Sequence, residues 1–511
     1  MAQFWDPTTG FDRRTLVLAM LVYLLLTLLP LTLPFVETGW KSGIDSGPAI
    51  RLLGRSLQLA ALAASIAVGL GLFAGIGLWH TASPVYQLRG FVILALLLPP
   101  YLLIQGWMSL AWSPPPGLSF IKTPAGLNWA ALILGTSMAP LAALLTGLGR
   151  HFIPLAALES LALSQGPVTA WRRLILPLLL PLLTASWLLI AMLCLLEGGV
   201  PLSLQFPVFA TEITSRFLGG ENPVALAKNI WPLYFCSLLL GISAFLIIRR
   251  CRRCSDGNAP GARHFLLNID SLPPWLRMAT RAGWLLLATL VALPLLGLLR
   301  LAFTGSTYNL TINSDGMALL RSLGLAIISA ALSTLLAVPA GAAVASRNRS
   351  WLLLPVLLPL ALPASITGIT WAAWGVRIHV SCRWLPEETP LLLSHLGRIT
   401  PFALLVSLAL WSMQHRKSAR ESVFMHRHHF WQRIFVEWPH YLLVFLVAAV
   451  FSLRELEISL LTVPPGGETL PIRVFNLLHY GAGSDVARIS LLLAVPITIA
   501  ALQIARKWEK A

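Results

Sequence analysis

The sequence predicts an all-α integral membrane protein of about twelve transmembrane helices, built as two repeated six-helix halves. Three observations predict it. Of 511 residues, 57% are hydrophobic and only 11% charged, with a mean hydropathy of +0.76, whereas an average soluble chain is about 25% charged. Uncharged runs of about 17 to 25 residues, the length that crosses a bilayer as helix, recur along the whole chain. Polar blocks of the first half also return in the second at nearly the same spacing.

In the first half the runs are centred on 15–36, 56–79, 90–111, 128–149, 174–196 and 229–248, and in the second on 282–303, 322–345, 351–375, 399–414, 440–462 and 486–505. The first, Thr15 to Val36, has spanning length and no small-residue cleavage site, so it reads as a retained helix rather than a signal peptide. Pro99-Pro100 and Pro359 fall inside spans, where neighbouring helices satisfy the freed backbone groups. The eleventh run carries Arg454, Glu455 and Glu457 in its distal part.

The formal net charge is +17, from 37 Lys and Arg against 20 Asp and Glu. The basic residues form short bursts between apolar runs rather than one stripe, which sets membrane topology and excludes a nucleic-acid footprint. Most of them fall in the N-terminus, the even-numbered loops and the C-terminus, so both termini are expected in the cytoplasm. The heaviest burst, Arg249-Arg250-Cys251-Arg252-Arg253, opens a basic linker over 251–281. That linker separates a first repeat unit at 49–250 from a second at 315–511, with 1–48 holding the first span and 282–314 the seventh. Five cysteines at irregular spacing imply no disulfide framework, and Cys251 and Cys254 lack the further ligands of a zinc site. No metal or other cofactor is expected.

Two blocks carry the repeat. Arg55-Ser-Leu-Gln-Leu-Ala60 opens the second span and Arg321-Ser-Leu-Gly-Leu-Ala326 the eighth. Glu159-Ser160 and Glu421-Ser422 lie in the fourth and tenth loops, each followed eighteen residues on by a proline, Pro177 or Pro439, that opens a span. Each loop has the makings of a short amphipathic helix before that proline. The first carries Gly166 and the run Trp171-Arg172-Arg173, and the second carries Trp431 and Arg433.

These loops resemble those of permease subunits of ATP-binding-cassette importers, which carry a Glu-Ala-Ala, then Gly, then Ile-x-Leu-Pro pattern. Counting back thirteen from each proline puts Ser164 and His426 at the family's Gly, with Gly166 two residues later. Six further back, Leu158 and Arg420 stand at its Glu, with Glu159 and Glu421 one residue on. The segment 452–482, with first-half counterpart 197–213, resembles the stretch after the coupling loop in the iron(III) and thiamine branch, where two permease halves are often fused. The resemblance covers roughly 50–250 and 315–505.

It implies a bacterial inner-membrane protein that moves a small solute between its halves. It implies as partners two cytoplasmic ATPase subunits seated on the coupling loops, and a periplasmic solute-binding protein. The coupling residues would be Glu159, Ser160, Gly166, Trp171, Arg172, Arg173, Pro177, Glu421, Ser422, Trp431, Arg433 and Pro439. The chain has no phosphate-cradling loop of its own, so it is expected to be no enzyme and to rely on a partner for ATP hydrolysis.

Glu197, Arg454, Glu455 and Glu457 stand at or near the far ends of spans, where ionisable groups line a path or gate, or anchor at the interface with membrane lipid. The outer loop Arg377–Arg398 is a candidate contact for a solute-delivery protein, or an interfacial aromatic anchor. His426, His428 and His429 cluster in the tenth loop without a carboxylate or cysteine that completes a metal set. Twelve spans in two halves also describe an ion- or proton-coupled secondary transporter, the alternative reading. Against it stands the scarcity of ionisable residues in the span centres.

Overall fold

The computed structural model describes residues 13–35, 46–78, 89–115, 117–149, 153, 155–253, 273–304, 312–346, 354–421, 430–479 and 483–510, and the regular structure among them is helical throughout. A first helix, α1 (Arg13–Leu28), runs into a 3-10 turn, Leu29–Phe35. The first half follows with α2 (Ser46–Gly77), α3 (Arg89–Leu97), α4 (Pro100–Trp112), α5 (Gly126–Leu148), α6 (Leu155–Gln165) and α7 (Pro167–Ala170). A π turn, Trp171–Ile175, leads into α8 (Leu176–Leu195), then α9 (Gly199–Ser203), α10 (Phe209–Leu218), α11 (Pro223–Asn229) and α12 (Trp231–Arg253). After α13 (Pro274–Thr304), the second half holds α14 (Ile312–Ser346), α15 (Leu354–Leu360), α16 (Ala364–Ser381) and α17 (Thr389–Glu421). It closes with α18 (Phe430–Arg454), α19 (Glu457–Thr462), α20 (Leu470–His479) and α21 (Gly483–Lys510).

Eight of the described helices are long and apolar enough to cross a membrane, or nine if the bent pair α3–α4 is one span. This is the build of a multi-pass membrane protein. Two further apolar helices, Val17–Thr32 and Trp438–Arg454, are shorter. The ninth expected span, 351–375, is replaced by two helices, α15 and α16. The tenth begins ten residues earlier than its hydropathy suggests, so most of the supposed loop Arg377–Arg398 is helix. The basic linker lies largely outside the described residues, and α13 starts at Pro274 rather than 282.

Proline chemistry explains the bends. Pro99 caps α4 with φ −63° and ψ 134°, an extended turn that also holds Leu98 out of helix, because a residue before proline avoids the α region. The result is an 89° bend between α3 and α4. Pro363 does the same before α16, with φ −61° and ψ 143°. Even the ends agree: Ser113 after α4 and Cys382 after α16 have φ/ψ of −135°/72° and −131°/73°.

The halves repeat in their packing as well. α2 lies against α5 and α8 as α14 lies against α17 and α18, and α8 pairs with α12 as α18 does with α21. The close approach of α2 to α5 depends on Gly75, where an added Cβ would stand 2.5 Å from Thr146 Cβ and 2.6 Å from Ala143 O. Gly341 of α14 meets Ser407 of α17 in the same way. Small residues at such crossings let membrane helices approach closely, which dispersion rewards where lipid removes the hydrophobic drive.

The helix preceding each half packs on the other. Tyr23 of α1 is fully buried among Ala330, Ala337, Ile399 and Ala403 of the second half, and Thr370 Oγ1 donates to Pro30 O at 3.3 Å. α13 seats on the first half: Trp284 Nε1 donates to Ala74 O at 3.0 Å and Arg300 to Ser113 O at 2.9 Å. This exchange ties the two units into one body, and the largest buried apolar cluster runs through both.

Candidate functional site

Two features stand at opposite ends of α8. At its start, α6 ends at Gly166, whose φ of +84° is the left-handed conformation that closes a helix. Its N–H returns to Ala162 O at 3.0 Å, and Pro167 then starts α7. The expected single amphipathic helix is therefore two short helices and a π turn that merges into α8. Arg173 bridges the kink by donating to Gln165 Oε1 at 3.1 Å.

A separate apolar cluster fastens this element to the bundle. Leu158, Ala170, Trp171 and Ile175 pack against Ile76 of α2 and Leu276 of α13. Trp171, grouped by sequence with the docking residues, is buried and acts as the anchor. Ser160, Arg172, Arg173 and Pro177 are exposed. Leu163, 89% exposed, gives the outward face an apolar point. Glu159 sits in α6, but its side chain lies outside the described residues.

In the second loop, Ser422 and the histidines 426, 428 and 429 lie outside the described residues. So do the side chains of Glu421, Trp431 and Arg433, whose backbone is helical. Pro439 does not open a helix as expected; it stands exposed inside α18, which begins at Phe430.

The other end of α8, about 30 Å along its axis for twenty residues, reaches a charged cluster between the halves. Glu197, Arg454, Glu455 and Glu457, which the sequence placed at span ends without relating them to one another, lie near each other there, and Arg398 joins them from α17. Glu457 is 5% exposed. Its Oε2 accepts the Gly198 N–H at 3.2 Å and its Oε1 faces Thr214 Oγ1 at 3.4 Å, both in the other half. Arg454 donates across the same boundary to Leu96 O at 3.0 Å, beside the α3–α4 bend.

Arg398 holds the corresponding bend of the second half by donating to Leu362 O at 2.7 Å. Each guanidinium lies over a phenylalanine of its own helix, Arg398 over Phe402 at 5.7 Å and Arg454 over Phe451 at 5.2 Å. Those two rings stack at 4.6 Å. The two helix bends are thus pinned by two arginines joined through an aromatic pair.

Sequence reasoning missed Arg398, assigned to a loop, and His395 one turn before it. His395 is buried, with Nδ1 3.0 Å from Ser452 Oγ and Nε2 2.9 Å from Ser459 Oγ. Ser459 in turn donates to Glu455 O at 2.9 Å and Ser329 donates to Ser452 at 2.9 Å. Among the described residues no group of three His, Cys, Asp or Glu is placed to hold a metal. No family model, curated protein or solved structure matches the chain.

Proposed function

We propose that the chain is the permease component of an ATP-driven import system of a bacterial inner membrane. Two six-helix halves, with both termini in the cytoplasm, would pass a small solute between them. Two cytoplasmic ATPase subunits would hydrolyse the ATP, and a periplasmic solute-binding protein would deliver the cargo to the opposite face.

The observation that carries this reading is the geometry of α8. One end bears a surface-exposed element with an apolar point at Leu163 and cations at Arg172 and Arg173, anchored by buried Trp171. The other end carries Glu197 into the cluster between the halves. A rod of this kind converts movement of a partner at one end into separation at the other. The weakly buried, basic exposed face suits docking into a groove of a partner chain.

The test is reconstitution with the candidate ATPase and binding protein. Hydrolysis that depends on the chain and is lost in folded Arg172→Ala/Arg173→Ala protein supports the reading. Transport that persists without an ATPase and collapses with the proton gradient overturns it. That second outcome would establish an ion- or proton-coupled transporter, a reading favoured by buried Glu457 and His395, since ionisable groups inside a membrane domain commonly serve transport.

A further inference from the structure

We propose that Glu457 and Arg454 form a one-sided latch that holds the two halves together beside the path, and that opening the path requires this latch to part. The proposal rests on the permease reading for its purpose, but not for its geometry. Within four residues of the second half, three polar contacts cross to the first: Arg454 to Leu96 O, and Glu457 to Gly198 N and Thr214 Oγ1. All three engage buried or half-buried groups.

The first half also crosses, with Tyr234 and Ser237 of α12 donating to Leu358 O and Ala361 O beside the second-half bend, but among the described residues it has no charged pair like Arg454 and Glu457. α8 ends at Leu195 and α9 starts at Gly199, as α18 ends at Arg454 and α19 starts at Glu457. At these helix ends Arg454 and Glu457, the two residues that cross, have only Leu195 and Gly199 opposite them in the first half. The latch therefore belongs to one half, and the other supplies backbone and a threonine to receive it.

Gly198 makes the arrangement testable. A Cβ there would stand 2.8 to 2.9 Å from the Glu457 carboxylate, and nothing closer is in the way. The obstructing group is the far end of a flexible side chain, so Gly198→Ala displaces the carboxylate without forcing backbone apart. A natural reporter sits alongside: Cys194, a free thiol 2% exposed, four residues before Gly198 on the same strand of chain. Its labelling therefore reports water that reaches this end of α8.

The experiment is the rate of N-ethylmaleimide labelling at Cys194, read by peptide mass spectrometry on the full chain in lipid nanodiscs, with Cys236 as the internal reference. The expected result is slow labelling in the parent chain and a rise of about tenfold in Gly198→Ala and in Glu457→Ala, with Cys236 unchanged. The double variant should label no faster than Glu457→Ala alone, because a displaced carboxylate and a deleted one remove the same contact. Glu457→Gln, which keeps an acceptor for Gly198 and gains a donor for Thr214, should stay within twofold of the parent.

Unchanged Cys194 labelling in both alanine variants overturns the latch. So does a double variant whose rise is the product of the singles, or a glutamine variant that labels like alanine. A simultaneous rise at Cys236 marks loss of fold and also counts against it. The assay uses neither ATPase nor solute, so failure of the importer reading leaves this result standing, and failure of the latch leaves the importer reading standing.

Discussion

Ser56 accepts the backbone N–H of Phe209 at 2.9 Å, and Ser322 accepts that of Leu470 at 2.7 Å. These serines are the hydroxyl-bearing members of the Arg-Ser-Leu blocks that recur in the sequence, and Phe209 and Leu470 are the first residues of α10 and α20. The repeat thus has a physical cause. Each half starts a late amphipathic helix on the hydroxyl of its first long helix, which satisfies an N–H that the new helix leaves without a partner. Ser56→Ala and Ser322→Ala should each cost about 0.5–2 kcal/mol, the range for losing a helix-capping oxygen. The two losses should add, since the sites share no partner. Melting of the purified single and double variants in detergent checks this; a double variant no less stable than either single would count against it.

Gly166 tests the kink at the start of the exposed element. Nothing lies within 4 Å of the place its Cβ would occupy, so the cost of Gly166→Ala is conformational alone. A left-handed residue with a side chain costs about 1–2 kcal/mol. Amide exchange should therefore quicken across 155–175, while Gly166→Asn, which tolerates that conformation better, should lie between the two. Uniform protection in all three proteins would show that the turn is not held by this residue.

Trp171 and its two neighbours separate anchoring from docking. Removal of the buried indole should lower stability by about 3–5 kcal/mol, as for other buried aromatic-to-alanine changes. Arg172→Ala and Arg173→Ala, on exposed surface, should leave melting within about 0.5 kcal/mol. On the proposed permease reading, loss of ATPase stimulation in Arg172→Ala reports a missing contact with the partner, loss in Arg173→Ala alone includes the lost bond to Gln165, and loss in Trp171→Ala reports a detached element. Arginine variants that melt as early as the tryptophan variant would refute this division.

Much of the helical fold was legible in the sequence because lipid as solvent imposes long uncharged runs, and eight of those runs are single helices of spanning length. What hydropathy does not encode is direction. The run at 90–111 reads as one span, yet Leu98-Pro99 turns it through a bend. The charged residues at span ends were found because carboxylates are conspicuous there, but their partners were not. Glu457 is received by the N–H of Gly198, and a backbone donor has no mark in a residue pattern. Arg398 was hidden because a helix whose first turns hold Ser394, His395, Arg398 and Thr400 scores as a loop until its partners are known. Residues 422–429 of the tenth loop lie outside those described.

His395 shows how those partners decide a protonation state. Ser459 gives its proton to Glu455 O, so it accepts from Nε2; Ser452 accepts from Ser329, so it is free to donate to Nδ1. Every member of the chain is satisfied by a neutral ring with its proton on Nε2. Histidine 15N spectra of selectively labelled protein should show that tautomer for the His395 signal, assigned by its loss in His395→Leu. Leucine removes the Nδ1 acceptor and leaves the Ser452 proton only Ser329 Oγ, whose own proton must then turn to Ala326 O at 3.3 Å, so the poorly paired group costs about 1–3 kcal/mol. Ser452→Ala in the same protein removes that poorly paired proton, so the double variant should recover part of the lost melting temperature. A double variant whose loss is the full sum of both singles, or a signal of the Nδ1–H form, would refute the directed chain from Ser329 to Glu455.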